Sequence, residues 1–244
     1  MRVSRVHVDA ELRPGVEVAL PDGAATHLVR VLRLQAGDTC VLFNGDGHDY
    51  RARISALGKR GVHASVEAVA PVDNESLLRI SLVQGIARGE KMDWILQKAT
   101  ELGVHAFVPV SSERSEVRLE GQRADKRLSH WRSVVIAACE QSGRARIPQV
   151  AASQPLQEAV AALPVTSRWL LDPQASQSIA TLTAPIASAC VLAVGPEGGW
   201  SPRDRAVLQD AGFQGLRLGP RILRTETAGL AAIAALQARF GDLL

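Results

Sequence analysis

Two glycine-bearing loops in the last quarter of the chain carry the residue types that build a ligand pocket. The first reads AVGPEGGWS over 193–201, and the second reads LGPRILRTETAG over 218–229. Each lies between an apolar run typical of a buried strand and a run with helical periodicity. The second loop mixes aliphatic residues with hydrogen-bonding side chains, a combination that suits a flat heteroaromatic ring such as adenine. We therefore expect a ligand pocket at these loops.

Signals for the start of a helix explain part of this pattern. Ser201 is a favoured N-cap residue, Pro202 fits the first helical position, and Asp204 follows three residues after the cap. Thr225 or Thr227 is in the same way a candidate cap for the last helix. The Gly-Pro-Glu-Gly-Gly portion exceeds what a helix start requires. No GxGxxG follows an early strand and no GxxxxGK[ST] is present, which disfavours a nicotinamide cofactor or ATP.

The pattern of predicted secondary structure that must position these loops changes at residues 70–76, APVDNES, which we interpret as a linker. Before it, short alternating or β-branched runs predict a small β-rich, barrel-like domain over 1–73, with a hairpin turn at 44–49. A helix is expected over 25–38, with Leu28, Val31 and Leu32 on its apolar face. After the linker, strands alternate with helices over 74–244, which predicts an α/β domain with a mostly parallel sheet. Such sheets bind ligands at the carboxyl ends of their strands, where both loops lie.

Composition sets further limits. The 244 residues are 46% hydrophobic with a formal net charge of +3, and the positive excess lies after residue 73. No apolar stretch approaches the roughly 20 residues of a membrane helix, and the first residues lack the apolar core of a signal peptide. We expect a cytoplasmic protein without a membrane partner. The three cysteines are scattered and lack CxxC spacing, so neither a disulfide nor a metal site is expected.

Several longer motifs occur in order along the chain: HLVRVLRLQAGD (27–38), GEKMDWILQKATELGV (89–104), SERS (112–115), EQSGR (140–144) and the two loops. With them, the chain resembles the SPOUT (trefoil-knot) RNA methyltransferases, and within these the RsmE family of 16S ribosomal RNA uridine-N3 methyltransferases. The resemblance covers nearly the whole chain. Trp200 departs from it, because phenylalanine is more usual at that place, and we expect the change to alter packing rather than chemistry.

The resemblance implies a SPOUT trefoil-knot parallel-sheet domain over 74–244, preceded by a PUA-like RNA-binding barrel domain over 1–73. It implies S-adenosylmethionine as the cofactor, 16S rRNA of the small ribosomal subunit as the substrate, and a homodimer. The residues expected to bind the cofactor are Leu171, Gly195, Pro196, Glu197, Gly198, Gly199, Leu218, Gly219, Ile222, Leu223, Thr227 and Ala228.

Methylation of uridine at N3 requires the N3 proton to leave and the base to be unpaired or flipped, because N3 lies on the pairing edge. We expect Arg224 to stabilise the negative charge that spreads over the uracil ring, with Glu226 or Glu197 as a proton acceptor. Either glutamate alternatively orients backbone or an arginine, and this alternative is favoured for Glu197. Candidate contacts to RNA phosphates, each alternatively a solvated surface charge, are Arg2, Arg5, Arg30, Arg33, Arg88, Lys91, Lys98, Arg114 and Arg144.

Three other functions remain open at this point. The chain could act on another RNA or methylate a ribose 2′-oxygen, because no residue encodes the target nucleotide. A non-catalytic RNA-binding assembly factor is a second alternative, against which the intact loops argue. A small-molecule α/β enzyme is a third, disfavoured by the basic second domain and by the β-rich domain before it.

Overall fold

The computed structural model describes residues 3–58, 61–117, 119–164, 166–182 and 189–243, without the side chain of residue 27. The chain forms two compact units. The N-terminal unit comprises Met1–Glu75 and Cys139–Ile147, and the C-terminal unit comprises Ser76–Ala138 and Pro148–Leu244. The division expected from the sequence, between residues 73 and 74, did not assign the segment 139–147 to the first unit.

The N-terminal unit contains a mixed five-stranded sheet over a buried apolar core. Its elements are β1 (Arg5–His7), β2 (Glu17–Ala19), α1 (Asp22–Thr26), β3 (Thr39–Phe43), β4 (His48–Gly58) and β5 (Gly61–Pro71). The strand order is β1-β3-β4-β5-β2, with β1 parallel to β3 and the other pairs antiparallel. The hairpin predicted at 44–49 is confirmed, because β3 and β4 pair across it with Leu42 opposite Tyr50.

The helix predicted over 25–38 is wrong in extent and in its apolar face. After α1 the chain forms one turn of π-helix over His27–Val31, and Arg33 adopts a left-handed φ of 58°. Leu28 is fully buried, whereas Val31 is 64% exposed and Leu32 is 42% exposed. The wider π turn changes the number of residues per turn, so the spacing of an α-helix no longer places these three side chains on one face.

The C-terminal unit is an α/β domain with a parallel seven-stranded sheet, which confirms the predicted fold class. Its elements are β6 (Arg79–Gly85), α2 (Lys91–Glu101), β7 (Ala106–Ser111), α3 (Gly121–Ser142), β8 (Gln149–Val150), β9 (Gln154–Pro155), α4 (Leu156–Ala161), β10 (Ser167–Leu171), β11 (Ala189–Val194), α5 (Pro202–Asp210), β12 (Gln214–Leu216) and α6 (Thr225–Phe240). The last turn of α3, from Cys139 onward, belongs to the N-terminal unit. The strand order is β12-β10-β11-β6-β7-β8, and β9 also pairs with β7. Within the described ranges, no helix combines the length and apolar composition that crossing a bilayer requires.

Burial patterns explain why these elements form. The centre of the sheet holds β11 and β6, and most of their residues are buried in an unbroken run, as expected for strands covered on both faces. On α2 the buried residues Met92, Ile95 and Ala99 follow helical spacing, and Gly103 takes a left-handed φ of 84° just beyond the helix. Because β12, β10 and β11 are neighbours and parallel, their carboxyl ends meet at one edge of the sheet.

Candidate cofactor and RNA-modification site

A cavity of about 230 Å³ lies at the carboxyl ends of β10, β11 and β12 in the C-terminal unit. Its wall is formed by the residues that follow these three strands, together with Lys91 from α2 and Arg205 from α5. Most of the wall belongs to the first loop (residues 195–201) and the second loop (residues 218–224). The position agrees with the general rule that parallel sheets bind ligands at this edge.

The first loop is held in a close turn against the central strand. Gly199 N–H donates to the carbonyl of Pro196 at 2.9 Å, and Gly199 has a left-handed φ of 65°. At Gly85, the last residue of β6, an added Cβ would lie 2.6 Å from the Pro196 nitrogen and nearer still to its Cδ. Only glycine permits that approach of strand and loop. Gly85 is therefore part of the structure that positions the first loop. The sequence patterns did not indicate this contact.

The end of the first loop starts α5 as predicted. The Ser201 hydroxyl accepts from the Asp204 N–H at 3.0 Å, and the Asp204 carboxylate accepts from the Ser201 N–H at 3.0 Å. This reciprocal pair satisfies two N–H groups at the helix start. Trp200 is 4% exposed and belongs to an apolar cluster with Leu170 and Leu208. Its side chain therefore contributes to packing, as the sequence led us to expect.

A buried polar network joins the two loops to the centre of the sheet. The Thr225 hydroxyl donates to the Gly195 carbonyl at 2.5 Å and accepts from Gln84 Nε2 at 3.0 Å. Gln84 Nε2 also donates to the Gly85 carbonyl at 2.8 Å. Gln84 is fully buried and Thr225 is 7% exposed, so these bonds are shielded from water. Breaking one would leave buried polar atoms unpaired, which is costly.

This network corrects the expectation that a threonine caps the last helix. The N-cap residue is Arg224, without a side-chain capping bond, and Thr225 is the first helical residue. Thr227 is exposed in the first turn, where its N–H donates to the Arg224 carbonyl at 3.0 Å. The hydroxyl of Thr225 is instead used to fix Gly195, because the strand end and the first loop lie beside it.

Two of the three acidic side chains that line the cavity have charged partners. Glu197 Oε1 accepts from Lys91 Nζ at 3.1 Å and from the Arg88 N–H at 3.0 Å. Burial raises the pKa of Glu197, but these hydrogen bonds and the Lys91 charge outweigh it, so the pKa lies below its ordinary value. Asp172 forms an ion pair with Arg205. Glu197 is thus a charged group that orients backbone, the second role considered for it.

Arg224 and Glu226 line the same cavity without comparable partners. Neither side chain forms an ion pair with a described residue, and Glu226 Oε2 is shielded from solvent without a hydrogen-bond partner among them. Arg221 lines the cavity as well and is exposed. These three charges are therefore available to a ligand, whereas Glu197 and Asp172 are occupied.

The cavity brings together most of the residues expected to bind a cofactor or perform chemistry. Those in its wall are Leu171, Gly195, Pro196, Glu197, Gly199, Leu218, Gly219, Ile222, Leu223, Arg224, Glu226 and Ala228. Gly198 and Thr227 lie outside the wall, and the Gly198 carbonyl accepts from Arg114 Nη1 at 3.0 Å. Contact of these two residues with the cofactor stays a prediction.

Sequence reasoning missed several residues of the wall and its support. Asp172 and Arg205 form the second ion pair of the cavity. Asp172 could have been predicted as a wall residue, because it directly follows a strand of the parallel sheet. Gln84 is the only amide side chain in the apolar run of β6, and such a residue is expected to form a buried hydrogen bond. The remaining wall residues that the sequence had not assigned to the cofactor site are Pro173, Val194, Trp200, Leu216, Arg221 and Thr225.

Two of the arginines expected to contact phosphates instead form partly buried ion pairs within the N-terminal unit. Arg144 is 5% exposed, and its guanidinium contacts both oxygens of Glu75, at 2.9 and 2.5 Å. Arg5 pairs with Asp49 and also donates to the Arg144 carbonyl at 3.2 Å. With their charges matched inside the fold, neither arginine is retained as a phosphate contact. They hold the segment 139–147 in this unit.

The other phosphate candidates lie at the surface or outside the described residues. Arg30 and Arg33 are exposed in the N-terminal unit, and Arg88 and Arg114 are exposed in the C-terminal unit. Lys91 and Lys98 are partly exposed and pair with Glu197 and Glu101, respectively. Arg2 lies outside the described residues.

The three cysteines do not contribute a nucleophile. Cys40, Cys139 and Cys190 are buried and free of disulfide bonds. Burial raises the pKa to about 11 at Cys40 and to about 12 at Cys139 and Cys190. At neutral pH they are thiols, the form that does not attack an electrophile.

Comparison with known proteins identifies the family. The profile described as the RNA methyltransferase domain matches residues 74–237, and that of the RNA methyltransferase PUA domain matches 20–67. The relatives named ribosomal RNA small subunit methyltransferase E include one from Mycobacterium bovis, 36% identical over 89% of this chain and 85% of its own. Another, from Buchnera aphidicola, is 32% identical over 99% of this chain and 98% of the length of the Buchnera protein.

Two solved structures are similar in fold to this chain over its full length. Ribosomal RNA small subunit methyltransferase E of Neisseria gonorrhoeae, bound to S-adenosylmethionine, is 40% identical with a TM-score of 0.91. A methyltransferase of Legionella pneumophila with bound S-adenosylmethionine is 36% identical with a TM-score of 0.93, and both comparisons cover 100% of each chain. The chain therefore belongs to the RNA methyltransferase family whose curated members are named ribosomal RNA small subunit methyltransferase E.

Proposed function

We propose that this chain methylates N3 of a uridine in 16S rRNA of the small ribosomal subunit, with S-adenosylmethionine as the methyl donor. The observation that carries the proposal is the composition of one cavity. Its wall combines aliphatic residues and backbone with two unpaired charges, Arg224 and Glu226, at the start of α6. The named relatives and the cofactor-bound neighbours support the same function.

The residues present fit the cofactor. Leu171, Leu218 and Leu223 provide apolar surface beside the backbone of the first loop, which suits an adenine ring. The carboxylate of Glu226 provides negative charge for a cationic ligand. When bound, S-adenosylmethionine supplies a methyl group whose carbon forms a bond to uridine N3 as its bond to sulfur breaks, with the electron pair left on sulfur.

Uridine N3 is a poor nucleophile while it carries its proton. Glu226 accepts that proton, and Arg224 stabilises the negative charge that develops on the ring oxygens. Glu197 does not act as the acceptor, because Oε1 already receives hydrogen bonds from Lys91 and the Arg88 N–H. Its part is to hold the first loop in place.

RNA is positioned by phosphate contacts from exposed arginines, namely Arg30 and Arg33 in one unit and Arg88 and Arg114 in the other. Lys91 and Lys98 add positive charge near their carboxylate partners. If these contacts form, the logarithm of the RNA association constant falls linearly with the logarithm of the salt concentration. Binding that is insensitive to salt contradicts this part of the proposal.

The protein acts as a homodimer in the cytoplasm, where its ribosomal substrate is made. Support for self-association comes from Ile222, whose side chain is 85% exposed beside the cavity, and from the half-buried alanines of α6. Light scattering on the purified chain measures the oligomeric state. A monomeric mass at micromolar concentration contradicts the dimer and leaves the chemistry to be tested separately.

The decisive experiment is incubation with methyl-labelled S-adenosylmethionine and small ribosomal subunits, or 16S rRNA, that lack the modification. Mapping of the labelled nucleotide is expected to give 3-methyluridine at one position. Label on a ribose oxygen or in another RNA supports the alternative methyltransferase targets. Specific RNA binding without methyl transfer supports the assembly factor.

A further inference from the structure

The charges around the cavity leave one carboxylate unmatched. Glu197 is paired with Lys91, and Asp172 is paired with Arg205. Glu226 also lines the cavity but forms no ion pair with any residue in the described part of the chain. Its Oε2 atom is shielded from solvent and lacks a hydrogen-bond partner there. A carboxylate oxygen in that state gains most from a positive group on a ligand.

Glu226 lies at the end of a helix that carries partial positive charge, near two arginines of the second loop. It is the second residue of α6, a helix of 16 residues whose N-terminal end carries partial positive charge. The two cations of the second loop, Arg221 and Arg224, are both exposed. They are thus free to meet negative groups of cofactor or RNA, while Glu226 remains a site for positive charge.

We propose that Glu226 is the counter-charge of the cofactor's sulfonium cation, an inference that rests on the proposed function. S-adenosylmethionine differs from its product, S-adenosylhomocysteine, by one methyl group and one positive charge. The cavity therefore binds the substrate form about tenfold to a hundredfold more tightly than the neutral product. This preference promotes release of the product after each turnover.

The Glu226 carboxylate also keeps the net charge of the site balanced throughout the reaction. Before transfer, its negative charge offsets the positive sulfonium. During transfer, Glu226 takes the proton from uridine N3, and the positive charge on sulfur is lost with the methyl group. Afterwards a neutral carboxylic acid faces a neutral thioether, so neither state leaves a shielded charge without a partner.

The test measures dissociation constants by calorimetry for both ligands, with the wild-type chain, Glu226→Gln and Glu226→Asp. Glu226→Gln is expected to weaken binding of S-adenosylmethionine at least tenfold and to change S-adenosylhomocysteine binding less than about twofold. Glu226→Asp keeps the charge and retains the preference. The matched control is Glu116→Gln, which removes an exposed acid that pairs with Arg88 outside the cavity wall and leaves the ratio unchanged.

Sinefungin provides a measurement on the wild-type chain alone, because it carries a protonated amine in place of the methylated sulfur. It is expected to bind like S-adenosylmethionine and more tightly than the neutral product. Equal affinity of the wild-type chain for charged and neutral ligands overturns the inference, as does an equal loss of both in Glu226→Gln. A wild-type chain that binds none of them overturns the proposed function itself.

Discussion

The two loops that line the cavity are held in different ways. The first loop is fixed by the Gly199–Pro196 hydrogen bond, by the Ser201–Asp204 pair at its end, and by the Thr225 hydroxyl at Gly195. In the second loop, residues 218–223 form no backbone hydrogen bond with another described residue. One wall of the cavity is therefore built by the fold, whereas the other presents unpaired side chains.

This difference separates two tasks. A fixed wall keeps the geometry in which a cofactor is bound, because its polar groups are already satisfied by the protein. Unpaired groups such as Arg224 and Glu226 retain their capacity to interact with a reacting base. Substitution of Arg224 in the second loop should then affect chemistry more than binding, and substitutions that disturb the first loop should affect binding and stability.

The largest effect is expected from Arg224→Ala. Removing a cation that stabilises the developing negative charge is expected to reduce kcat by about a hundredfold to a thousandfold. The affinity for S-adenosylmethionine should change less than about threefold, since Arg224 is exposed and pairs with no described group in the fixed wall. Single-turnover methylation and calorimetry measure the two quantities separately.

Arg203→Ala is the control for loss of an arginine, because Arg203 is 78% exposed and lies outside this cavity. Arg224→Lys should recover part of the rate, since it restores charge without the planar guanidinium. Near-full activity of Arg224→Ala would remove Arg224 from the mechanism and weaken the distinction between the loops.

The next largest effect is expected where β6 meets the first loop. In Gly85→Ala the new Cβ would lie 2.6 Å from the Pro196 nitrogen, so the loop must move away from the strand. We expect about 1–3 kcal/mol lower free energy of unfolding, as for other overpacked sites, and about tenfold weaker cofactor binding. Urea denaturation and calorimetry provide the measurements.

Gly23→Ala is the matched control, because an added Cβ there meets no atom within 4 Å and its φ is ordinary. It should leave both quantities near their wild-type values. Unchanged cofactor affinity in Gly85→Ala would show that the first loop tolerates displacement and that cofactor binding does not require it to be fixed.

Sequence patterns correctly predicted the structural features that depend on residues close together in the chain. The Ser201–Asp204 pair and Gly103 after α2 were readable because helix starts and ends are local. The cavity edge followed from strand alternation, since parallel order places carboxyl ends together. The resemblance then assigned a cofactor to the two loops, and most of the residues named from it line the cavity.

Partners distant in sequence were not predictable in this way. Arg144 looked like a phosphate contact until Glu75, 69 residues away, was found to hold it inside the N-terminal unit. Thr225 matched a capping residue, but its hydroxyl bonds to Gly195, 30 residues earlier. Local patterns could not distinguish these roles, because in both cases the competing partner comes from another part of the fold.

A smaller effect is expected from Thr225→Val, which removes the hydroxyl and preserves the side-chain shape. It leaves Gln84 Nε2 and the Gly195 carbonyl each without one hydrogen bond in a buried site. The free energy of unfolding should fall by about 1–3 kcal/mol, with cofactor affinity lowered about threefold. Thr225→Ser retains the hydroxyl and should recover the affinity. Equal affinities of the valine and serine variants would contradict a positioning role for this hydroxyl.

The smallest effect is expected at the Lys91–Glu197 pair. The pKa of Glu197 is lowered in the folded chain, so the pair stabilises the fold above the unfolded pKa, near 4.3. That contribution is lost as pH falls through the lower folded pKa. Because the Lys91 side chain is 36% exposed, solvent screening limits the effect at pH 7 to less than about 1 kcal/mol.

A double-mutant cycle with Lys91→Met, Glu197→Gln and both together isolates the pair. Urea denaturation at pH 7 should give a small favourable coupling energy, and the coupling energy should disappear as pH falls through the lowered folded pKa of Glu197. Loss of the coupling energy already above the unfolded pKa of about 4.3 would mean that the carboxyl group is protonated more readily in the folded chain than in the unfolded chain. Glu197 would then be an available proton acceptor after all, and the first loop would share the chemistry now assigned to the second.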